Sequence, residues 1–293
     1  MTQTLEQLGR QRTTLRNISG IVRTMKTRSA INAVPYEQAA DAIDAYQQTL
    51  EKAFAAFAFC TQGRYATGKS TVPSGRISLL LAFGSDHGLC GSYHEQLADL
   101  VQVTHEELAP HAMKVLCVGG RLYQALADRQ IHDLELLMPP ASVAGIGRLA
   151  SQLVQRIERF SAGAELSSVS VRLLFMQRRG HGMSEPSVDT LLPVPQRLFR
   201  PPARWPSRAL PMFTLDEASL LSSLLRNYLF VRLYRASAEA LVTENAARLA
   251  LMQQAEQAVS ERLTDLDGTI NQLRQEEITT EIMDIITAYL AET

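Results

Sequence analysis

The chain has 293 residues, 46% hydrophobic and 20% charged, which is enough apolar material for one or two domains with cores of their own. Its formal net charge of −1 excludes the global basic excess expected of a nucleic-acid binder. No stretch approaches the roughly 18 consecutive apolar residues that span a bilayer, so any membrane association is expected to run through partner proteins. Cys60, Cys90 and Cys117 are an odd count at wide spacing, which outlines neither a disulfide framework nor a zinc pattern and fits a reducing compartment. The stretch Thr2–Gln7 lacks the apolar core of a signal peptide. The near-zero net charge conceals an asymmetry. Residues 1–35 carry Arg10, Arg12, Arg16, Arg23, Lys26 and Arg28 against Glu6 alone, whereas residues 261–293 are strongly acidic. Opposite charge at opposite ends favours the two ends lying side by side.

In chain order, residues 1–60 are predicted to be helical. Leu15, Ile18, Val22 and Met25 recur at coiled-coil spacing. Pro35 is expected to kink or briefly interrupt the helix, after which Ile43, Tyr46, Leu50, Phe54 and Phe57 resume the stripe. Thr61–Gly75 reads as a loop rich in glycine, serine and threonine. Across residues 76–195 strand and helix patterns alternate. Strands are expected at 77–83, 114–118, 134–137, 169–176 and 188–192, and helices at 95–108, 121–128 and 149–160, a pattern of mainly parallel sheet covered by helices. Pro193, Pro195, Pro201, Pro202, Pro206 and Pro211 mark a linker. Residues 210–293 then read as one long helix, with no proline after Pro211 and Gly268 as the sole glycine. Val259, Leu263, Leu266, Ile270 and Leu273 keep a coiled-coil register, and Ile278, Ile282, Ile285 and Tyr289 follow after a shift.

A helix from Leu215 to Ala291 would run about 115 Å at 1.5 Å per residue, whereas a compact globule of this length has a radius of gyration near ~19 Å. It must therefore run beside the N-terminal helix, with other proteins enclosing the remainder. The expected fold class is α/β: a long coiled coil of N- and C-terminal helices plus a Rossmann-like α/β domain.

Two motifs invite chemistry. Gly63–Ser70 fits the phosphate-loop pattern G-x-x-x-x-G-K-[ST], but that loop must leave a strand and open a helix. Here a helical stretch precedes it and Thr71-Val72-Pro73-Ser74-Gly75 follows, so no nucleotide is expected there. His87, Cys90 and His94 lack a fourth ligand, so no metal is expected either. No nucleophile, histidine and acid stand at telling positions, and no catalytic residue or cofactor site is assigned. The loop Gly84–Gly91, at the end of the first strand, lacks dinucleotide-binding glycine spacing and reads as a structural turn or a partner contact.

Particular residues carry a family resemblance. Gly84-Ser85-Asp86-His87-Gly88-Leu89-Cys90-Gly91 resembles the S-D-R-G-L-C-G-G turn of F-type ATP synthase γ subunits. Leu15-Arg16-Asn17-Ile18 with Ile21-Val22-Arg23-Thr24-Met25 is similar to their N-terminal I-x-x-I-T-K-A-M helix. Glu244-Asn245-Ala246-Ala247-Arg248-Leu249-Ala250-Leu251-Met252 resembles E-x-A-A-R-M-x-A-M. Asn271, Arg274-Gln275, Ile278-Thr279, Glu281-Ile282 and Asp284-Ile285 follow N-x-x-R-Q-x-x-I-T-x-E-[IL]-x-[ED]-I. His87 for arginine, and the polar Lys26-Thr27-Arg28-Ser29 for an apolar stretch, point toward a divergent branch such as the sodium-linked enzyme of some bacteria.

The resemblance implies a central rotor stalk. Its helix pair, a long antiparallel coiled coil, would turn inside a ring of α and β subunits, and its α/β domain would form a foot with the ε subunit on the membrane c-ring. The stalk would be peripheral, on the cytoplasmic face of a bacterial inner membrane. The resemblance further implies coupling contacts at Met25, Arg248, Arg274, Gln275, Thr279 and Glu281, with Met25 and Arg248 close together, and a foot turn built on Asp86, Gly88, Cys90 and Gly91. A stand-alone nucleotidase and a generic coiled-coil scaffold are the competing classes, and the second leaves the paired terminal motifs unexplained.

Overall fold

A computed structural model describes residues 4–67, 77–108, 112–161, 169–179 and 183–291. Its elements are α1 (Leu5–Cys60), β1 (Ile77–Phe83), α2 (Tyr93–Leu108), β2 (Ala112–Val118), α3 (Gly120–Asp128), β3 (Leu134–Leu137), α4 (Val143–Ser161), β4 (Val169–Arg179), β5 (Met183–Leu192) and α5 (Glu217–Ala291). The chain divides into two compact units, Met1–Ala30 with Arg248–Thr293, and Ile31–Ala247.

In the unit Ile31–Ala247 the sheet has the order β3-β2-β1-β4-β5. β1 pairs in parallel with β2 and β4, β2 in parallel with β3, and β5 runs antiparallel to β4 at the edge. β1 is a continuous apolar run because both faces of the sheet are covered. Leu79, Leu81 and Phe83 face a core shared with Phe54 and Phe57 of α1, Leu153 of α4 and Val231 of α5. Leu80 and Ala82 face the opposite way, onto Leu97 of α2 and Leu122 of α3. α4 buries Ile146, Leu149, Ala150, Leu153, Val154 and Ile157, a helical stripe aimed at the sheet.

The expected order of elements is present, with differences that have physical causes. β4 continues to Arg179 and β5 begins at Met183, because a polar edge hairpin lacks the apolar run that betrays a buried strand. Pro35 lies inside α1 without breaking it. The next turns are held by burial of Tyr36 and Ala40 against Ile146, Ala238 and Leu241, which offsets the one hydrogen bond that proline removes.

In the other unit the helices run antiparallel. Arg12 Nε lies 2.7 Å from Asp267 Oδ1, and Lys26 Nζ 2.7 Å from Glu256 Oε2, so rising numbers on α1 meet falling numbers on α5. The α1 seam runs Leu8, Arg12, Leu15, Ser19, Val22, Lys26 and Ser29 in steps of three and four, all buried or half-buried. Leu15 and Val22 lie on it as expected. Ile18 does not, being 39% exposed, because polar residues take alternate seam positions. On α5, Met252, Val259, Leu263, Leu266, Ile270 and Leu273 form the facing stripe.

Candidate coupling surfaces and the foot turn

The turn after β1 stands at the carboxyl ends of the parallel strands, beside the point where the chain, having laid β2 and β3 on one flank of β1, places β4 on the other. Open α/β sheets bind ligands at such points. Here the chain's own groups fill it. The Gly120 N–H, at the start of α3, donates to Asp86 Oδ1 at 2.6 Å, and Arg121 N–H donates to the Ser85 carbonyl at 3.1 Å. The helix end that would cradle an anion thus already holds a carboxylate.

Two glycines make this approach possible. Gly119 has φ 105°, and a Cβ there would lie 2.6 Å from the Ser85 backbone. A Cβ on Gly84 would meet Leu122 at 2.4 Å. Ser85 Oγ donates to the His87 carbonyl (2.9 Å) and lies 2.9 Å from His94 Nε2, while His94 Nδ1 faces Cys90 Sγ at 3.5 Å. Cys90 is buried with Tyr93 and Met176, Gly91 supplies φ 63°, and Gly88 lies beside Arg121. Asp86, Gly88, Cys90 and Gly91 therefore belong to one internally braced turn, from which Leu89 projects, 54% exposed. Nearby, Cys117 is pushed up to about 12 by burial, with the Asp86 charge adding to it.

A polar belt on α5 anchors the sheet. Ser237, Glu239, Thr243, Glu244 and Asn245 are buried. Tyr93 OH donates to the Ala240 carbonyl (3.1 Å), and Thr243 Oγ1 lies 3.2 Å from the Met176 carbonyl. Glu239 Oε1 accepts both the backbone N–H of Arg178 (2.7 Å) and its Nε (3.1 Å). The same guanidinium reaches Glu37 at 2.9 Å and Asp41 at 3.8 Å on α1. Burial opposes the Arg178 charge, but Glu239, Glu37 and Asp41 outweigh it and raise its pKa above the ordinary arginine value. Sequence reasoning missed this joint. Its one signal was a glutamate and a threonine interrupting the small apolar face through Ala238 and Leu241.

Beside the belt, a cleft of about 450 Å³ opens between β5 and α5. Arg232 pairs with Asp189, Glu239 with Arg178, and Arg235 with Asp44, so most of its charged wall is already engaged within the protein. The phosphate-loop-like segment begins just after α1, a helix rather than a strand, and Arg64–Thr67 is a 3-10 turn. Lys69 and Ser70 lie outside the described residues. Among those residues no group of three metal-binding side chains occurs, and no helix is long and apolar enough to cross a membrane.

Of the remaining sequence-picked residues, Met25 is half-buried and level with the stretch around Glu256, while Arg248 is buried about two turns earlier on α5. The helix register thus does not set them face to face. Arg274, Gln275, Thr279 and Glu281 lie together past the end of the seam. From Arg274 to Ala288 every side chain is exposed, including Ile278, Ile282 and Ile285.

A mainly parallel sheet whose ligand end is plugged by its own carboxylate, and terminal helices in antiparallel array with an uncovered end, are features of a mechanical stalk component. A family model described as ATP synthase matches residues 4–291. The ATP synthase gamma chain of Granulibacter bethesdensis is 27% identical over 285 residues, 94% of each chain. That of Beijerinckia indica is 27% identical over 93% of this chain and 96% of its own. A chain of the Euglena gracilis mitochondrial ATP synthase OSCP/F1/c-ring structure, in rotational state 3, has the same fold, with TM-score 0.67, 15% identity, and coverage of 98% of this chain and 94% of its own. The chain belongs to the ATP synthase family, and its function is that of the family's gamma chains, the central stalk of the complex.

Proposed function

We propose that this stalk is itself non-catalytic and passes rotation of a membrane c-ring to nucleotide sites in surrounding α and β subunits, with an ε subunit at its foot, peripheral on the cytoplasmic face of a bacterial inner membrane. The observation that carries the reading is the uncovered end of α5, where fifteen consecutive positions, 274–288, are exposed and several bear large apolar side chains. Such a surface calls for an enclosing protein. A stalk contacted by the ring and by catalytic subunits at separate surfaces would link distant sites through discrete docked states.

Met25, Arg248, Arg274, Gln275, Thr279 and Glu281 are the proposed coupling contacts. Thr279 Oγ1 already donates to the Gln275 carbonyl at 2.8 Å, so only its lone pairs remain for a partner. The Gln275 amide has no hydrogen bond among the described residues. Gln275→Ala should therefore weaken coupling more than Thr279→Ala, each leaving a partner group unsatisfied at up to ~1–3 kcal/mol. The experiment is ATP-driven ion pumping per ATP hydrolysed in the assembled complex. Substitutions throughout 271–285 that leave this ratio and assembly unchanged would remove the contact role.

A further inference from the structure

The strap between β5 and α5 carries a charge pattern that its own fold does not use. From Thr190 to Leu215 there is no acidic residue, while Arg197, Arg200, Arg204 and Arg208 recur every three or four positions. All four are exposed, and none has an ion pair among the described residues. The carboxylates nearest in sequence are engaged. Asp189 pairs with Arg232, Asp216 Oδ2 accepts the Ser219 N–H at 2.9 Å, and Glu217 holds Arg64 at 3.1 Å.

The strap is nevertheless fastened down. Phe199 packs edge-on against Phe54 at 5.7 Å, Trp205 lies 5.5 Å from Phe59, Phe213 stacks on Phe57 at 6.0 Å, and the Pro211 carbonyl accepts a bond from Cys60 Sγ–H. Trp205 Nε1 also donates to the Ala209 carbonyl at 3.1 Å, closing the loop that ends in Leu210 and Met212, which are 69% and 84% exposed. Prolines further restrict the backbone between these anchors. Four like charges are thus held at set intervals, where they repel one another unless an opposite surface arrives.

We propose that residues 197–212 are a docking surface for a carboxylate-bearing face of a partner subunit of the complex, with the arginines forming ion pairs and Leu210 and Met212 an apolar contact at their edge. The inference rests on the central-stalk reading. A protein partner fits better than a headgroup layer: guanidinium forks bond carboxylates and phosphates alike, but an anchored strap presents them at fixed spacing, which a folded surface can match and a fluid lipid layer does not.

The test is binding of the full chain to each purified partner subunit across a salt series, repeated with vesicles of phosphatidylglycerol and phosphatidylcholine. One partner should bind wild type with an affinity that falls steeply with salt. Converting all four arginines to glutamine should weaken that partner alone by roughly tenfold to a hundredfold and flatten its salt dependence. Replacement by lysine should restore part of the affinity, and unaltered thermal unfolding would show that the strap stays folded. Unchanged affinity in the glutamine variant, or strong arginine-dependent binding to the vesicles in place of a protein, overturns the proposal. If wild type binds no partner at all, the stalk reading itself fails, which is a different result.

Discussion

Replacing Arg178 by alanine removes the guanidinium that ties the end of β4 to both long helices. The magnitude depends on the partners it abandons. The Glu239 side chain is only 9% exposed, so it cannot turn to water, though it keeps the 2.7 Å bond from the backbone N–H of residue 178. Glu37 is half exposed and Asp41 more so, and both rehydrate at little cost. Breaking a fully buried pair costs about 3–5 kcal/mol. A third of Arg178 is in water and one donor to Glu239 survives, which brings the expectation to ~1.5–3 kcal/mol. For a unit of this size that corresponds to a fall in Tm of roughly 3–12 °C, read by calorimetry on the full chain.

Arg129→Ala is the comparison. Arg129 also meets two acids at 2.7 Å, but Glu95 and Asp99 are both about two-thirds exposed, so the loss should stay below ~1 kcal/mol. Combining Arg178→Ala with Glu239→Gln should give less than the sum of the single effects. If Arg178→Ala destabilises no more than Arg129→Ala, or the pair with Glu239→Gln is additive, the joint is not held by this network.

Gly119→Ala should cost ~2–5 kcal/mol, because its Cβ would strike backbone that cannot rotate away. Gly91→Ala, with open space around it, should cost about 1, and equal denaturation midpoints would refute the close approach. Native protein at pH 8.5 should resist iodoacetamide at Cys117, whose buried thiol is raised to about 12, until it is unfolded. Because the unfolded thiol titrates near ~8.5, stability should also fall as pH rises from there toward 12; native labelling at a free-thiol rate would contradict both. Glu256 is lowered by its bond to Lys26, against a smaller opposing effect of burial. Its contribution is therefore present above the unfolded carboxylate value of ~4.3 and is lost as pH falls through the lower folded one. Lys26→Met should raise the Glu256 titration seen by NMR, and no movement would dissolve the assigned pair.

How legible each feature was follows from whether its cause is local. The run Ile77–Phe83 announced a strand because every residue after the first is buried, and Val259 to Leu273 announced a seam because the apolar spacing is unbroken. The hairpin of β4 and β5 was half hidden, since Gln177, Arg178 and Glu185 carry no apolar alternation. Ile18 misleads because the seam gives positions to Arg12, Ser19 and Lys26, and the partners of Arg12 and Lys26 lie 230 or more residues away. The turn at Gly84–Gly91 was found through its glycines. That Asp86 closes the start of α3 was not, because a bond between residues thirty-four apart leaves no periodic trace.

The polar positions in that seam bear on axial slip. An all-apolar pair of helices has near-equivalent registers one heptad, about 10 Å, apart, and a twisting load drives such a pair to slide. Moving α1 by seven residues would carry Arg12 from Asp267 to Ser260 or Arg274, and at the same time Lys26 from Glu256 to Leu249 or Leu263. The ion pairs are too exposed to add much to stability. Their effect lies in the misaligned states, each of which would press unpaired charge into the contact. They act as a key in a keyway, adding little grip while admitting one position.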